Sequence, residues 1–351
     1  MKKNLLICFA LLCSIWAWAD NAFSIEDFTI AAGEEKFIEV KMYSDVTMCA
    51  FQFDLELPEG ISVTKVNATN RLKRWDPDEG DEGAWVPVHT VTYSLQSSGC
   101  YKVMAYATPS TDIGGTSGDA VVKVKIKASD QVSTGTFSPT ISKQEMTEAD
   151  GTKHKIDDAT YSCGVTINTT VTTLGYASFS WPKALDFTNS GLTAFIATTC
   201  DGSTLHLESV TKVPANTGLI LKGTAGSENT YSLETTEEAT DDVSGNLLSS
   251  NTADVYTVAS DDIYVLSNLD DGRPGFYKAG NGIHVAKYKS YLQYSASGSR
   301  LAFTFDEGTT GIVNSVKATD KNRQYYNLQG QRVNKAQKGI YIVDNKMYVI
   351  K

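Results

Sequence analysis

The chain has 351 residues, with 41 Asp and Glu against 31 Lys and Arg, and its formal net charge at pH 7 is −10. A nucleic-acid-binding protein needs a positive surface for phosphates, so this composition argues against that class of partner. After the first 19 residues no stretch approaches the about 20 consecutive apolar residues of a membrane helix, and we expect none in the mature chain.

The first residues have the pattern of a secretory signal peptide. Lys2 and Lys3 precede a short apolar run at 5–16, and alanines stand at positions 17 and 19, just before Asp20. A positive start, a short apolar run and an A-x-A ending predict export and cleavage after Ala19. Loss of the two lysines makes the net charge of the mature chain −12. We therefore expect a protein that is secreted or held at the outer-membrane surface.

Four stretches in the first half of the chain alternate apolar with polar residues: "KFIEVKMYS" (36–44), "CAFQFDLEL" (49–57), "CYKVMAYA" (100–107) and "DAVVKVKIKA" (119–128). Alternation with a period of two predicts strands with one face in a core. Helical spacing of apolar residues is not found over any long segment. The sequence therefore predicts an all-β fold with a β-sandwich in this half.

The stretch "RWDPDEGDEGAW" at 74–85 is the main candidate for ligand binding. Aromatic rings stack on sugar faces, and clustered carboxylates are the oxygen ligands that calcium prefers. The spacing is not that of an EF-hand, because the twelfth position counted from Asp76 is Pro87. The alternative is a charged hairpin tip whose tryptophans cover an edge of the sandwich. The candidate residues are Trp75, Asp76, Asp78, Asp81 and Trp85, with calcium as a possible cofactor.

Four cysteines stay in the mature chain: Cys49, Cys100, Cys163 and Cys200. Four cysteines in an exported protein allow 3 disulfide pairings. Zinc binding is not favoured, because no two of them form a C-x-x-C pair and no paired histidine accompanies them. Disulfides or buried free thiols are the two predictions that stay open.

Catalytic motifs are not visible in the chain. The four histidines, at positions 89, 154, 206 and 284, are far apart, and no H-E-x-x-H, G-x-S-x-G or P-loop pattern occurs. We predict that the protein is not an enzyme. A glycoside hydrolase built on paired carboxylates is an alternative that sequence leaves open, because any two acidic residues could meet in space.

The pattern of the chain changes near residue 168, inside the Thr-rich stretch "TINTTVTTLGYASF" at 166–179. We place a domain boundary there, with one unit at 20–168 and a second β-rich unit at 169–308. A polar linker is predicted at 309–324. Residues 325–351 form a closing β segment in which two strands flank a hairpin loop at Asp344 and Asn345.

The first unit contains, in this order, the stretches "FTIAAGEEKFIEVKM", "CAFQFDLELPEGISV", "GCYKVMAYA", "SGDAVVKVKIKASDQVSTGTFSPTI" and "MTEADGTKH". In these stretches the unit resembles the cohesin-like modules of exported Bacteroidetes proteins. This resemblance implies a nine-stranded jelly-roll sandwich, a fold shared with several carbohydrate-binding modules. In cohesins one sheet face binds a dockerin.

The second unit and the C-terminal segment also carry resemblances. "TLGYASFSWPKALDF", "GLTAFIAT" and "VTKVPANTGLILKG" look like a β repeat of exported Bacteroidetes proteins, which implies no particular activity. The last 27 residues resemble the sorting domain of the type IX secretion system, although they are shorter than a full sorting domain. Docking on the preceding domain is the alternative. The residues that match are Tyr326, Leu328, Gly330, Val333, Gly339, Tyr341 and Lys351.

These features together predict a non-enzymatic binding or adhesion protein that recognises a glycan or a protein at the cell surface. The alternative is a scaffold protein that binds a dockerin-like partner. The resemblance to the sorting domain adds the secretion machinery as a further partner.

Overall fold

A computed structural model describes residues 21–80, 82–252, 256–257, 262–268, 274–280, 282–295, 298–306, 325–326, 332–333, 339–343 and 346–350. Strands and turns make up these residues, with one turn of 3₁₀ helix at Asn70–Leu72 and no α-helix among them. The all-β prediction is confirmed. Within this part of the chain no helix is long and apolar enough to cross a membrane.

The chain divides into two compact units, Met1–Thr166 and Ile167–Lys351. The dividing point falls inside a strand, Cys163–Val171, that also contains the predicted boundary at residue 168. The predicted signal peptide at 1–19 and the predicted linker at 309–324 lie outside the described residues.

The first unit is a β-sandwich. Its strands are β1 (Asn21–Ser24), β2 (Phe28–Ala31), β3 (Glu35–Ser44), β4 (Ala50–Glu56), β5 (Ile61–Ala68), β6 (Lys73–Asp76), β7 (Ala84–Pro87), β8 (Thr90–Leu95), β9 (Tyr101–Tyr106), β10 (Ala120–Ala128), β11 (Gly135–Phe137), β12 (Thr140–Thr147), β13 (Lys153–Ile156), β14 (Ala159–Thr160) and β15 (Cys163–Val171). One sheet has the order β1-β3-β10-β5, and the other has the order β13-β12-β4-β9-β8, with β14 also paired to β12. The first half of β15 pairs with β2 and β11.

The four alternating stretches are the strands β3, β4, β9 and β10, as predicted. In β10, Val122, Val124 and Ile126 are fully buried, whereas the lysines between them face outward. Phe53 of β4 and Val103 of β9 belong to the same core, which is filled by side chains of both sheets. Burial of each such side chain contributes about 1.5–3 kcal/mol, and alternation gives every strand several of them.

The second unit is built from short strands around a separate core that includes Tyr264, Phe276, Leu292 and Leu301. The strands are β16 (Tyr176–Phe179), β17 (Leu185–Asp186), β18 (Thr193–Asp201), β19 (Thr204–Val210), β20 (Lys212–Val213), β21 (Leu219–Lys222), β22 (Asn229–Thr235), β23 (Leu248–Asn251), β24 (Tyr256–Thr257), β25 (Ile263–Ser267), β26 (Gly275–Lys278), β27 (His284–Val285), β28 (Lys289–Gln293) and β29 (Arg300–Asp306). The largest described sheet of this unit has the order β16-β21-β18-β19-β29-β26-β25-β28-β23.

The closing segment contains β30 (Tyr325–Tyr326), β31 (Arg332–Val333), β32 (Gly339–Val343) and β33 (Lys346–Ile350), in the sheet order β31-β30-β32-β33. Val343 pairs with Lys346, so β32 and β33 form the predicted hairpin pair, and the loop residues Asp344 and Asn345 lie outside the described residues. Of the residues that resemble a sorting domain, Tyr326, Val333, Gly339 and Tyr341 lie in these strands. Leu328, Gly330 and Lys351 lie outside the described residues, and the sorting role stays a prediction.

Candidate functional site

The outward side of the sheet β13-β12-β4-β9-β8 carries a group of charged and large side chains. Because Phe51, Phe53 and Leu55 of β4 point into the core, Asp54 between them points outward. It pairs with Lys102 of β9. We call the following group the charged sheet face: Asp54, Lys102, Met104, Tyr106 and Lys143.

A β-bulge brings Lys143 to this face. The pairing of β12 with β4 shifts register between Ser142 and Glu145, and Lys143 has a φ of 47°. A bulge of this kind bends the strand and redirects a side chain. Lys143 and Gln144 together stand opposite the single residue Phe53. The amide of Gln144 is buried and donates to the carbonyl of Ile141 at 3.1 Å. The bulge therefore frees Lys143 to reach the neighbouring strand.

The carboxylate of Asp54 lies between the ammonium groups of Lys102 and Lys143. The Nζ atom of Lys143 lies 2.9 Å from Oδ2, and the Nζ atom of Lys102 lies 2.9 Å from Oδ1. The Lys102 contact is an ion pair outside hydrogen-bond geometry, so Oδ1 has a cationic neighbour but no hydrogen-bond donor. Asp54 is only 1% exposed, whereas the Lys143 side chain is 67% exposed.

The two lysines decide the charge state of Asp54. Burial raises the pKa of its carboxyl, but the hydrogen bond from Lys143 and the charges of both lysines outweigh burial, and the net pKa lies below its ordinary value. The carboxylate is thus ionised near neutral pH and holds both ammonium groups in fixed positions on the sheet.

The predicted tryptophan loop is a hairpin of β6 and β7. Trp75 stands directly opposite Trp85, and their rings meet edge to face, with centroids 5.8 Å apart and an angle of 68° between planes. The two side chains are 47% and 45% exposed. Gly83 has a φ of +80°, and a Cβ there would lie 2.6 Å from the Trp75 ring, so the ring requires glycine at this position.

Backbone hydrogen bonds hold the base of this hairpin. The N–H groups of Val88 and His89 both donate to the carbonyl of Leu72, each at 3.1 Å. Leu72 is fully buried, and the buried His89 ring lies 3.0 Å from the carbonyl of Thr111 through its Nε2 atom. The tryptophan pair therefore projects from an anchored base, and each ring also serves as packing surface for the other.

The Asp76 carboxylate contacts neighbouring residues of the loop. One carboxylate oxygen of Asp76 accepts from the N–H of Asp78 at 3.1 Å, and the other lies 3.3 Å from the guanidinium of Arg74. Asp81 lies outside the described residues. Within the described ranges no group of three or more His, Cys, Asp or Glu side chains is arranged to hold a metal ion. Calcium binding stays a prediction.

The disulfide prediction is not met, because all four cysteines are free thiols in the structure. Leu55 pairs with Tyr101 and Phe51 with Ala105, which puts Cys49 and Cys100 at opposite ends of the β4–β9 pair. They are separated by about 20 Å, far beyond disulfide range. Cys49 and Cys163 are buried, and burial raises the pKa of the Cys163 thiol to about 11. These two follow the alternative prediction of buried free thiols.

Sequence reasoning did not identify the charged sheet face. Asp54 lies in a stretch that was predicted to be an ordinary strand, and Lys143 is 89 residues further along the chain. Period-two alternation marks Asp54 and Lys102 as outward residues, but it does not give the register that joins them. Tyr106 had a weak signal, as an aromatic residue at the end of a predicted strand.

No protein-family model matches this chain, and no curated protein matches it. Among solved structures, it is similar to a cohesin in a type I cohesin–dockerin complex from Clostridium thermocellum, with 11% identity, 41% of this chain and 98% of that chain covered, and a TM-score of 0.31. It is also similar to a non-cellulosomal cohesin from Archaeoglobus fulgidus, with 15% identity, 42% and 91% of the two chains covered, and a TM-score of 0.30. A cohesin module of a family 33 glycoside hydrolase from Clostridium perfringens matches at 11% identity, 42% and 95% coverage, and a TM-score of 0.32. At these identities and TM-scores the likeness decides nothing about what this chain binds.

Proposed function

We propose that this chain is an exported, non-catalytic binding protein whose first unit recognises a protein partner through the charged sheet face. The observation that carries the proposal is the exposure of Tyr106, 43%, beside Met104 on a regular strand inside a sheet. Tyrosine and methionine are enriched at the centres of protein interfaces, and the rigid tyrosine ring loses little entropy on binding.

Lys102 and Lys143 give the charged sheet face two positive charges. Both ammonium groups are held by Asp54, yet the Lys143 side chain is largely exposed and can donate to a partner. Cations on an acidic chain favour a partner that presents carboxylates at this position, because complementary charges fix the register of an encounter. The resemblance of residues 20–168 to cohesin-like modules adds a dockerin-like module as the class of partner, which would make the protein a scaffold.

The proposal also includes export of the protein from the cell. The predicted signal peptide and the resemblance of the closing segment to a sorting domain support delivery to the outer-membrane surface or beyond, where a binding module meets its partner. Turnover of a polysaccharide or a peptide by the purified mature chain would contradict the non-catalytic part of this proposal.

The partner site is tested with two matched alanine variants. Tyr106→Ala is expected to weaken binding of a dockerin module by about tenfold or more, since truncating a hot-spot tyrosine at the centre of an interface typically costs about 2 kcal/mol or more. Phe37→Ala is the control, because Phe37 is 45% exposed on the outward side of the other sheet. Calorimetric titration of the mature chain with a panel of dockerin modules measures both. Equal losses in the two variants would place the site elsewhere.

A second candidate function is glycan recognition by Trp75 and Trp85, and their large exposed fractions favour it. Each ring keeps part of its surface open for stacking on a sugar. On a glycan array with and without calcium, the double variant Trp75→Ala/Trp85→Ala is expected to lose the signal of the mature chain, whereas Tyr106→Ala keeps it. A signal unchanged in the double variant would leave the tryptophans as packing partners only.

A further inference from the structure

The strand β8 is an edge strand of its sheet, and it lacks the features that normally block a sheet edge. It pairs with β9 in an unbroken register from Thr90, opposite Tyr106, to Leu95, opposite Tyr101. On its other side no strand is paired to it among the described residues. Five of its six residues are exposed, and the side chains of Tyr93 and Leu95 are 40% and 62% exposed.

Exposed sheet edges are normally blocked by charged residues, bulges or short length, because unpaired N–H and C=O groups accept a further strand. The other edge strands of the two sheets follow this rule. The strand β13 carries Lys153 and Lys155, β5 carries Lys65 next to a register shift, and β1 has only four residues. The sequence of β8, "TVTYSL", has no charge, no proline and no bulge.

We propose that β8 is a self-association edge, at which two copies of this chain pair β8 with β8 in antiparallel fashion about a two-fold axis. Residues that face each other in an antiparallel pair lie on the same side of the sheet. The register with Tyr93 opposite Tyr93 of the second copy puts Val91 opposite Leu95 and Thr92 opposite Ser94. Core-side residues thus meet core-side residues, and outward hydroxyls meet outward hydroxyls.

The strand itself indicates a second copy as the occupant. Because β8 carries no charge, it has no electrostatic complementarity that would select a strand of another protein. Two copies of β8 meet without charge repulsion, and their core-side and outward residues face residues of the same kind. Centring the pair on Thr92 would also keep the sides matched, but it would leave Leu95, the most exposed apolar residue of the strand, without an apolar residue opposite it. The register centred on Tyr93 covers Leu95 with Val91 of the second copy.

This association is independent of the proposed partner site. Pairing adds strands in the plane of the sheet, whereas the charged sheet face points out of that plane. Two copies would therefore present two charged sheet faces on one continuous sheet, each open to a partner. Failure of either proposal leaves the other standing.

Cysteine cross-linking tests the register. In a Cys100→Ser/Cys200→Ser background of the mature chain, Tyr93→Cys is expected to give a covalent dimer on mild oxidation, because directly opposed residues lie within disulfide range. Leu95→Cys is the control, since its two copies would lie about 14 Å apart along the strands despite their greater exposure. Cross-linking of Leu95→Cys alone, or of both variants equally, would overturn the register.

The oligomeric state tests the association itself. Sedimentation velocity of the mature chain is expected to show a dimer, and Tyr93→Lys is expected to raise its dissociation constant about tenfold or more by placing like charges opposite each other. Tyr106→Lys makes the same exchange at a similarly exposed tyrosine of an interior strand and is expected to keep the dimer. A monomeric wild-type chain, or a dimer that persists in Tyr93→Lys, would overturn the proposal. Circular dichroism verifies that both variants fold.

Discussion

Replacing both lysines that hold Asp54, in the variant Lys102→Met/Lys143→Met, should lower the free energy of unfolding of the first unit by about 3–5 kcal/mol at neutral pH, because it leaves a buried carboxylate without a cation. Asp54 is 1% exposed, and methionine side chains of similar length would cover its carboxylate without supplying a positive charge or a hydrogen bond. Hydrogen exchange of peptides from β4 and β9 measures this loss separately from the second unit.

The contribution of Asp54 to the free energy of unfolding should change with pH in opposite directions in this variant and in the wild type. In the wild type the net pKa of Asp54 is lowered, so its stabilising contribution is present above the unfolded pKa of about 4 and is lost as pH falls through the folded value. Without the lysines only burial remains, and burial raises the pKa. The penalty is then full at neutral pH and disappears as pH falls through the raised pKa.

The stability difference between the two proteins should therefore shrink between pH 7 and about pH 4. A matched control is the triple variant Asp54→Leu/Lys102→Met/Lys143→Met, which removes the buried charge as well and is expected to recover most of the lost stability. A difference that stays constant with pH, or a triple variant as unstable as the double, would show that Asp54 is not the cause.

Deletion of residues 325–351 should abolish delivery to the cell surface and leave the protein in the periplasm. Within the described residues, the strands β30–β33 pair only with one another, so their removal breaks no strand pairing of the larger units. The expected effect is on location and not on folding. Fractionation of cells that express the deleted chain, with surface proteolysis, measures the location.

A control separates sorting from folding. Replacing the segment by a flexible Gly/Ser sequence of equal length should also leave the protein in the periplasm, with an unchanged unfolding profile for the two larger units. Normal surface delivery of either variant would mean that the segment is only structural. Loss of the folded second unit in both variants would instead support the docking alternative, because that unit precedes the segment.

The strands were predictable from the sequence because alternation is a local signal. Each of the stretches 36–44, 49–57, 100–107 and 119–128 shows it, and the strands found begin and end within one or two residues of them. The hairpin of β32 and β33 was predictable for the same reason, since apolar alternation on both sides of Asp344 and Asn345 leaves one place for the turn.

The tryptophan loop was predictable only in part. The sequence shows that Trp75 and Trp85 bracket an acidic stretch, but their direct opposition depends on the register of β6 and β7. The number and setting of the cysteines suggest pairing. The separation of Cys49 and Cys100 follows from their places at opposite ends of the β4–β9 pair, which the sequence does not show.

By itself the sequence determined the all-β class, the alternation that builds the first core and the turn of the last hairpin, because these depend on neighbours within a few residues. The tertiary structure alone decided the sealed position of Asp54 between Lys102 and Lys143, the exposure of Tyr106 within the sheet and the unprotected edge of β8. Each of these depends on strand order and register, which join residues far apart in the chain and leave no mark in a local pattern.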